Sequence, residues 1–143
     1  ANHAPVEPAV GYRIEFSGRV VVLSGDTVRT NALFTNSQNV DLLIAEAMNK
    51  AMVQNIQRAN EGVGNNILAR LLADIQDYHM DVSEVGSLAQ QAKVKQLALN
   101  HLAPKPPGKL LANRFFRRPV KEFYSGVIHV GEDGMHIIIP VEE

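Results

Sequence analysis

Arg19-Val20-Val21-Val22-Leu23-Ser24-Gly25-Asp26-Thr27 is an apolar run that stops abruptly in a polar turn carrying a carboxylate. Four consecutive apolar residues closed by a turn have the character of a strand buried on both sides. Just upstream, Tyr12, Ile14 and Phe16 alternate with Arg13 and Glu15, the period of a strand with one buried face. Ser17-Gly18 between the two runs is a turn, so together they predict a hairpin. Asp26 then stands just beyond a strand end, where a rigid sheet can aim a side chain into a cleft.

Working outward, residues 30 to 38 read as a loose helix or loop, and Asp41-Leu42-Leu43-Ile44 as another short buried strand. Ile67, Leu68, Leu71, Leu72 and Ile75 recur at helical spacing on one face after a soft Gly/Asn stretch at 62 to 66; that helix ends near Tyr78. A second helix opens at Asp81, with Glu84 three residues on as a capping-box partner, and buries Val85, Leu88, Ala89 and Ala92. Val94 to Leu99 returns as a strand. Strand, helix and strand with short connections predict an α/β fold (α+β in some schemes), a mixed sheet with packed helices. Pro104, Pro106 and Pro107 end that unit, and a short helix follows around Leu110 to Phe116. Val127 to Val130 and His136 to Ile139 predict a closing hairpin around Gly131-Glu132-Asp133-Gly134. There is no internal repeat, so residues 1–143 read as one unit.

Composition narrows the chemistry. With 143 residues and 45% hydrophobic content, the chain can bury a real core. A net charge of −1 gives no global reason to expect nucleic acid or an acidic membrane as partner. No stretch approaches the roughly 18 apolar residues of a membrane span, so a soluble protein, cytoplasmic or periplasmic, is expected. The start at Ala1, without a basic or apolar leader, implies that any signal peptide is already removed or never existed. Zero cysteines exclude disulfides and leave any transition metal to imidazole and carboxylate.

Each candidate has an ordinary reading when taken singly. His3, in the Pro-bracketed His3-Ala4-Pro5-Val6-Glu7-Pro8, would be a solvated surface residue. Asp26 would be an Asx turn or helix cap. His101, at a strand end before Leu102-Ala103-Pro104, would bond to backbone, and His79 would sit favourably at a helix end. His129 and His136 lie on the predicted terminal hairpin and read as structural.

Taken in order, however, these residues fall in stretches that resemble the C-terminal half of the metallo-β-lactamase superfamily, closest to its ribonuclease Z and arylsulfatase-like phosphodiesterase branch. The matching stretches begin at His3, Gly18, Asp41, Asp77 and Leu99, and include Gly18-Arg19-Val20-Val21-Val22-Leu23-Ser24-Gly25-Asp26-Thr27, Asp77-Tyr78-His79-Met80-Asp81 and Leu99-Asn100-His101-Leu102. The resemblance implies half of an αββα sandwich. It also implies two divalent metal ions, zinc or else manganese or iron, with His3 on the first, Asp26 bridging both and His101 on the second. His79 would contact substrate or the ligands' surroundings. Met80 stands where the branch usually has Thr or Ser, and Ala45 where it often has His.

The His-x-His-x-Asp-His signature of the N-terminal half is absent. Three ligands shared by two ions under-coordinate both, so the chain alone is expected to be inactive. Half a sandwich would also leave the inner face of its sheet uncovered. The implied partners are the missing half, in the same protein or as a separate chain, and a small-molecule ester or RNA substrate. A swapped dimer would cover the face without supplying the signature. Two alternatives stay open. One is a nucleic-acid-binding module built on residues 105–121, where Lys105, Lys109, Arg114, Arg117, Arg118 and Lys121 surround Phe115 and Phe116, against a helix that packs its apolar face and solvates its charges. The other is a non-catalytic remnant of the fold.

Overall fold

The computed structural model describes residues 1–141. Its sheet runs β1 (Tyr12–Phe16), β2 (Arg19–Leu23), β3 (Leu42–Met48), β4 (Gln96–Ala103) and β5 (Val127–Val130), neighbours in that order. β1 and β2 are antiparallel; β2 to β5 are parallel. The helices are α1 (Asn31–Asn36), α2 (Lys50–Gly62), α3 (Asn66–Asp74) with a 3₁₀ turn at Ile75–Asp77, α4 (Val82–Gln91), α5 (Lys109–Ala112) and α6 (Arg118–Lys121), the last two joined by a π-helical segment at Asn113–Arg117. Among the described residues no helix is long and apolar enough to cross a membrane.

One face of the sheet carries the core. Val22, Leu43, Ala45, Ala47, Leu97, Leu99 and Ile128 pack in one cluster with Val85, Leu88 and Ala89 of α4 and with Phe116, Val120 and Tyr124 after β4. α4 is set by the capping box expected from Asp81 and Glu84, which satisfies amides its first turn would otherwise leave open. Gly86 lets α4 approach α6: a Cβ there would stand 2.8 Å from the Val120 carbonyl oxygen. Tyr124 donates its hydroxyl to the Val94 carbonyl at 2.8 Å, and burial pushes that phenol up to about 12.

The opposite face is apolar too, buried at Leu42 and Ala98 but open at its two edges among the described residues. Val21, Leu23, Leu42, Ile44, Ala98 and Val127 lie outside the helix-packed cluster. In register with Leu23, Val21 and Arg19 stand Tyr12, Ile14 and Phe16, which are 61%, 52% and 78% exposed. The alternation in β1 thus marks a face correctly, but that face is uncovered rather than buried. β2 is likewise only partly enclosed, with Val22 its one fully buried residue.

Other expectations shift. Residues 136–139 form no strand, and β5 pairs parallel with β4 instead of opening a hairpin. Ile137-Ile138-Ile139 is an apolar β-branched run, but the chain turns away at Glu132, whose carbonyl accepts from Met135 N at 3.0 Å. β4 extends to Ala103, so His101 lies within the strand, not past it. Phe116 is fully buried, which removes it as a base-stacking platform in the basic segment.

Candidate metal centre

Parallel strands all present their carboxyl ends to one edge of a sheet, and ligands gather at such edges. Here the edge beyond β2, β3 and β4 collects all four candidate residues.

Asp26 arrives through the Ser24-Gly25 turn. Gly25 has φ +62°, and a Cβ there would collide with the Val10 carbonyl, so both the backbone sign and the close approach of the N-terminal segment demand glycine. That segment is in turn clamped beside Asp26: Asn2 N donates to Thr27 Oγ1 at 2.7 Å, and Val28 N to the Asn2 carbonyl at 3.0 Å. His3 is thereby fixed at the site although it lies in no regular element. Its ring also meets Tyr78 edge-on at 4.6 Å. Burial raises the Tyr78 phenol above its usual value, reinforced by its hydrogen bond to Asp74 and the charges of Asp74 and Asp77.

His101 is the extra residue of a β-bulge: Glu46 pairs with Asn100 and Ala47 with Leu102. Its φ is +41°, a conformation uncommon for a residue with a Cβ. Bulges of this kind re-aim a side chain. The result is Nε2 at 3.2 Å from Asp26 Oδ2.

Glu46 organises the rest. It is 1% exposed, on an otherwise apolar strand, where a carboxyl is costly unless other groups partner it. Oε1 accepts from Met80 N at 2.8 Å and Thr27 N at 3.3 Å; Oε2 lies 3.2 Å from His79 Nδ1, an ion pair when that imidazole is protonated, and neither of those two atoms makes a hydrogen bond among the described residues. Ser24 Oγ accepts from Glu46 N at 3.1 Å. A Met48 N to Met80 O bond at 2.8 Å pins the segment bearing His79 against the end of β3. One buried carboxyl therefore ties together the turn that delivers Asp26 and the segment that delivers His79. The other imidazole nitrogen of His79, Nε2, pairs with His3 Nε2 at 3.4 Å, and the His79 and His101 rings are 5.4 Å apart.

The sequence reading brought forward His3, Asp26, His79 and His101 and passed over Glu46, Thr27 and Gly25. A signal for Glu46 was present: one carboxyl inside Leu42-Leu43-Ile44-Ala45-Glu46-Ala47-Met48 is a buried charge in need of a reason. His129 bonds Gln96 at 2.9 Å, in keeping with its structural reading.

Imidazole and carboxylate are donors that zinc accepts. The 3.2 Å between His101 Nε2 and Asp26 Oδ2 is close to the edge, about 3.3 Å, of a tetrahedron built on bonds of about 2.0 Å. Yet among the described residues no three histidine, aspartate or glutamate side chains close on one point. The donor chemistry suits a divalent metal, and the donor number is short of a complete shell.

Comparison with solved structures places the fold. The chain superposes on the metallo-beta-lactamase fold protein YhfI from Bacillus subtilis with a TM-score of 0.58 and 23% identity, covering 86% of this chain and 41% of that one. No family model matches. Among curated proteins, ribonuclease Z of Mycobacterium tuberculosis H37Rv is 33% identical over 133 residues, 92% of this chain and 44% of the relative; that of Mycolicibacterium paratuberculosis is 30% identical over 134 residues, 92% and 42%. The chain belongs to the metallo-β-lactamase superfamily, on its ribonuclease Z-like branch. It spans about half the length of the curated relatives it matches.

Proposed function

We propose that this chain is the C-terminal half of a dinuclear metal-dependent hydrolase that cuts phosphodiester or related ester bonds, RNA among them, and that it is inactive without its N-terminal half. The observation that carries the proposal is the gathering of His3, Asp26, His79 and His101 at one sheet edge around a buried carboxyl, in a chain similar to ribonuclease Z.

Asp26 suits a bridging role, because its two oxygens can each serve one ion and its side chain is 42% exposed at the cleft. His3 would serve one ion and His101 the other. Divalent ions held by these residues would supply Lewis acidity toward a water molecule and the scissile ester. His79 lies with Nδ1 3.2 Å from Glu46 Oε2 and would turn Nε2, which is 3.4 Å from His3 Nε2, to substrate or a proton in transit. The missing half would supply the remaining ligands and cover the exposed Tyr12, Ile14 and Phe16 of β1. That face and the short ligand count both support a site shared between two halves.

In the complete two-half protein, Asp26→Ala should remove hydrolysis and lower metal content together, while His79→Ala should keep metal content and slow turnover. Normal stoichiometry and turnover in the Asp26 variant would defeat the bridging assignment. Metal loss in the His79 variant would make it a ligand instead, as its 3.4 Å approach to His3 Nε2 would then signify.

A further inference from the structure

Beside His101, and not lined by His79 or His3, lies a cavity of about 740 Å³ between the end of β4, α5 and the turn after β5. The volume is of the size that small-molecule sites occupy. Its charged lining is uneven. Lys109 is already engaged with Glu132 at 2.9 Å, as are Arg13 with Glu15, Lys50 with Glu84, and Lys95 with Asp41 elsewhere in the molecule. Lys105 and Arg117 line the same cavity with no acidic partner among the described residues, and the Asn100 amide beside His101 also has no hydrogen-bond partner there. Asn113, by contrast, spends its amide on the Lys109 carbonyl at 2.9 Å. Asp133 is the one lining carboxyl left without a cation.

Lys105, Arg117 and an amide line one cavity whose acids are Glu132, paired with Lys109, and Asp133, so positive charge and N–H donors remain in excess for an anion with several oxygens. A guanidinium meets phosphate in a bidentate fork and an ammonium meets it as a point charge. Because Asn100 and His101 are adjacent on the bulge, whatever fills the cavity abuts the place where the ester would react. We propose that this cavity binds a phosphate group of the substrate chain adjoining the bond to be cut, with Lys105, Arg117 and Asn100 as its donors. The assignment rests on the hydrolase reading above. With Phe116 buried, the part of the basic segment 105–121 in this site is the charge of Lys105 and Arg117.

The test is binding rather than turnover. The full 143-residue chain, stripped of metal with EDTA, is titrated with uridine 5′-monophosphate, inorganic phosphate and uridine while backbone amide resonances are followed by NMR. The phosphate-bearing probes should shift the amides of Asn100, Leu102, Lys105, Gly108 and Gly131 saturably and more weakly as salt rises; uridine should not. Lys105→Ala with Arg117→Ala should weaken uridine monophosphate binding roughly tenfold or more, as expected when two charge-assisted hydrogen bonds go, whereas Lys105→Arg with Arg117→Lys should retain most of it. Both side chains are exposed, and unchanged amide dispersion verifies the fold of each variant. No saturable shift, an equal response to uridine, or undiminished binding in the double alanine variant would overturn the proposal. Failure of the hydrolase reading would look different: phosphate binding would persist while the complete protein bound no metal.

Discussion

Replacing Glu46 with alanine should cost this fold more than any other single change at the site. The structure shows why. Met80 N, at 2.8 Å, would lose its only acceptor in a dry environment, a loss of about 2 kcal/mol. Thr27 N, at 3.3 Å, makes a longer bond and would lose about 1 kcal/mol. His79 would lose the partner of its Nδ1, and the vacated volume would add roughly another 1 kcal/mol. Against these stands relief from burying a carboxyl, about 1 kcal/mol, leaving a net loss of about 3 kcal/mol. That is a large share of the about 5–15 kcal/mol that holds a domain folded. With a urea slope of about 1.5 kcal/mol per molar, the midpoint should fall by about 2 M. Glu46→Gln keeps an acceptor for both amides and should lose about 1 kcal/mol or less. Urea unfolding followed by circular dichroism reads all three proteins. An alanine variant within about 0.5 kcal/mol of the parent would show that the carboxyl is not the hub described here.

Gly25→Ala should destabilise by about 2 kcal/mol or more, since an alanine must hold φ near +62° and displace the Val10 carbonyl; thermal unfolding measures it, and an unchanged midpoint would place the turn elsewhere. At the opposite end of the sheet, burial pushes the Asp41 carboxyl up, but the Lys95 and Val20 hydrogen bonds and the charges of Lys95 and Arg19 outweigh it and hold its pKa below the ordinary value. A folded pKa lower than the unfolded one contributes stability that is present above about pH 4 and is lost as pH falls through the folded value. Asp41→Asn should therefore lower stability at pH 7 and flatten the acid limb of a stability-versus-pH curve; parallel acid limbs for parent and variant would contradict the assignment.

What could be read in advance was local. The hairpin at Ser17-Gly18, the Asp81–Glu84 capping box and the β3 start at Leu42 are encoded within a few residues of where they form. α2 escaped because its apolar stripe is thin: it buries only Val53 and is held chiefly by α3. The bulge at His101 depends on register with β3, 55 residues earlier by the Glu46–His101 numbering, and no short window carries that. The apolar period of β1 marked a face but could not say whether anything lies on it, because periodicity reports a preference for contact and not the partner. At the site, histidines and an aspartate were legible as donor types at strand ends, whereas Glu46 looked like one more strand residue until its three neighbours were in place.

The central claim, that the metal site is shared with a half this chain lacks, is tested most directly by zinc titration of the chain alone and together with a chain bearing the His-x-His-x-Asp-His half, with hydrolysis of bis-p-nitrophenyl phosphate read in the same samples. The account predicts weak zinc binding and no hydrolysis above the metal-in-buffer rate for the chain alone, and a joint rise of affinity and activity when the other half is added. Tight, stoichiometric zinc binding with ordinary enzymatic turnover by the 143-residue chain on its own would contradict it.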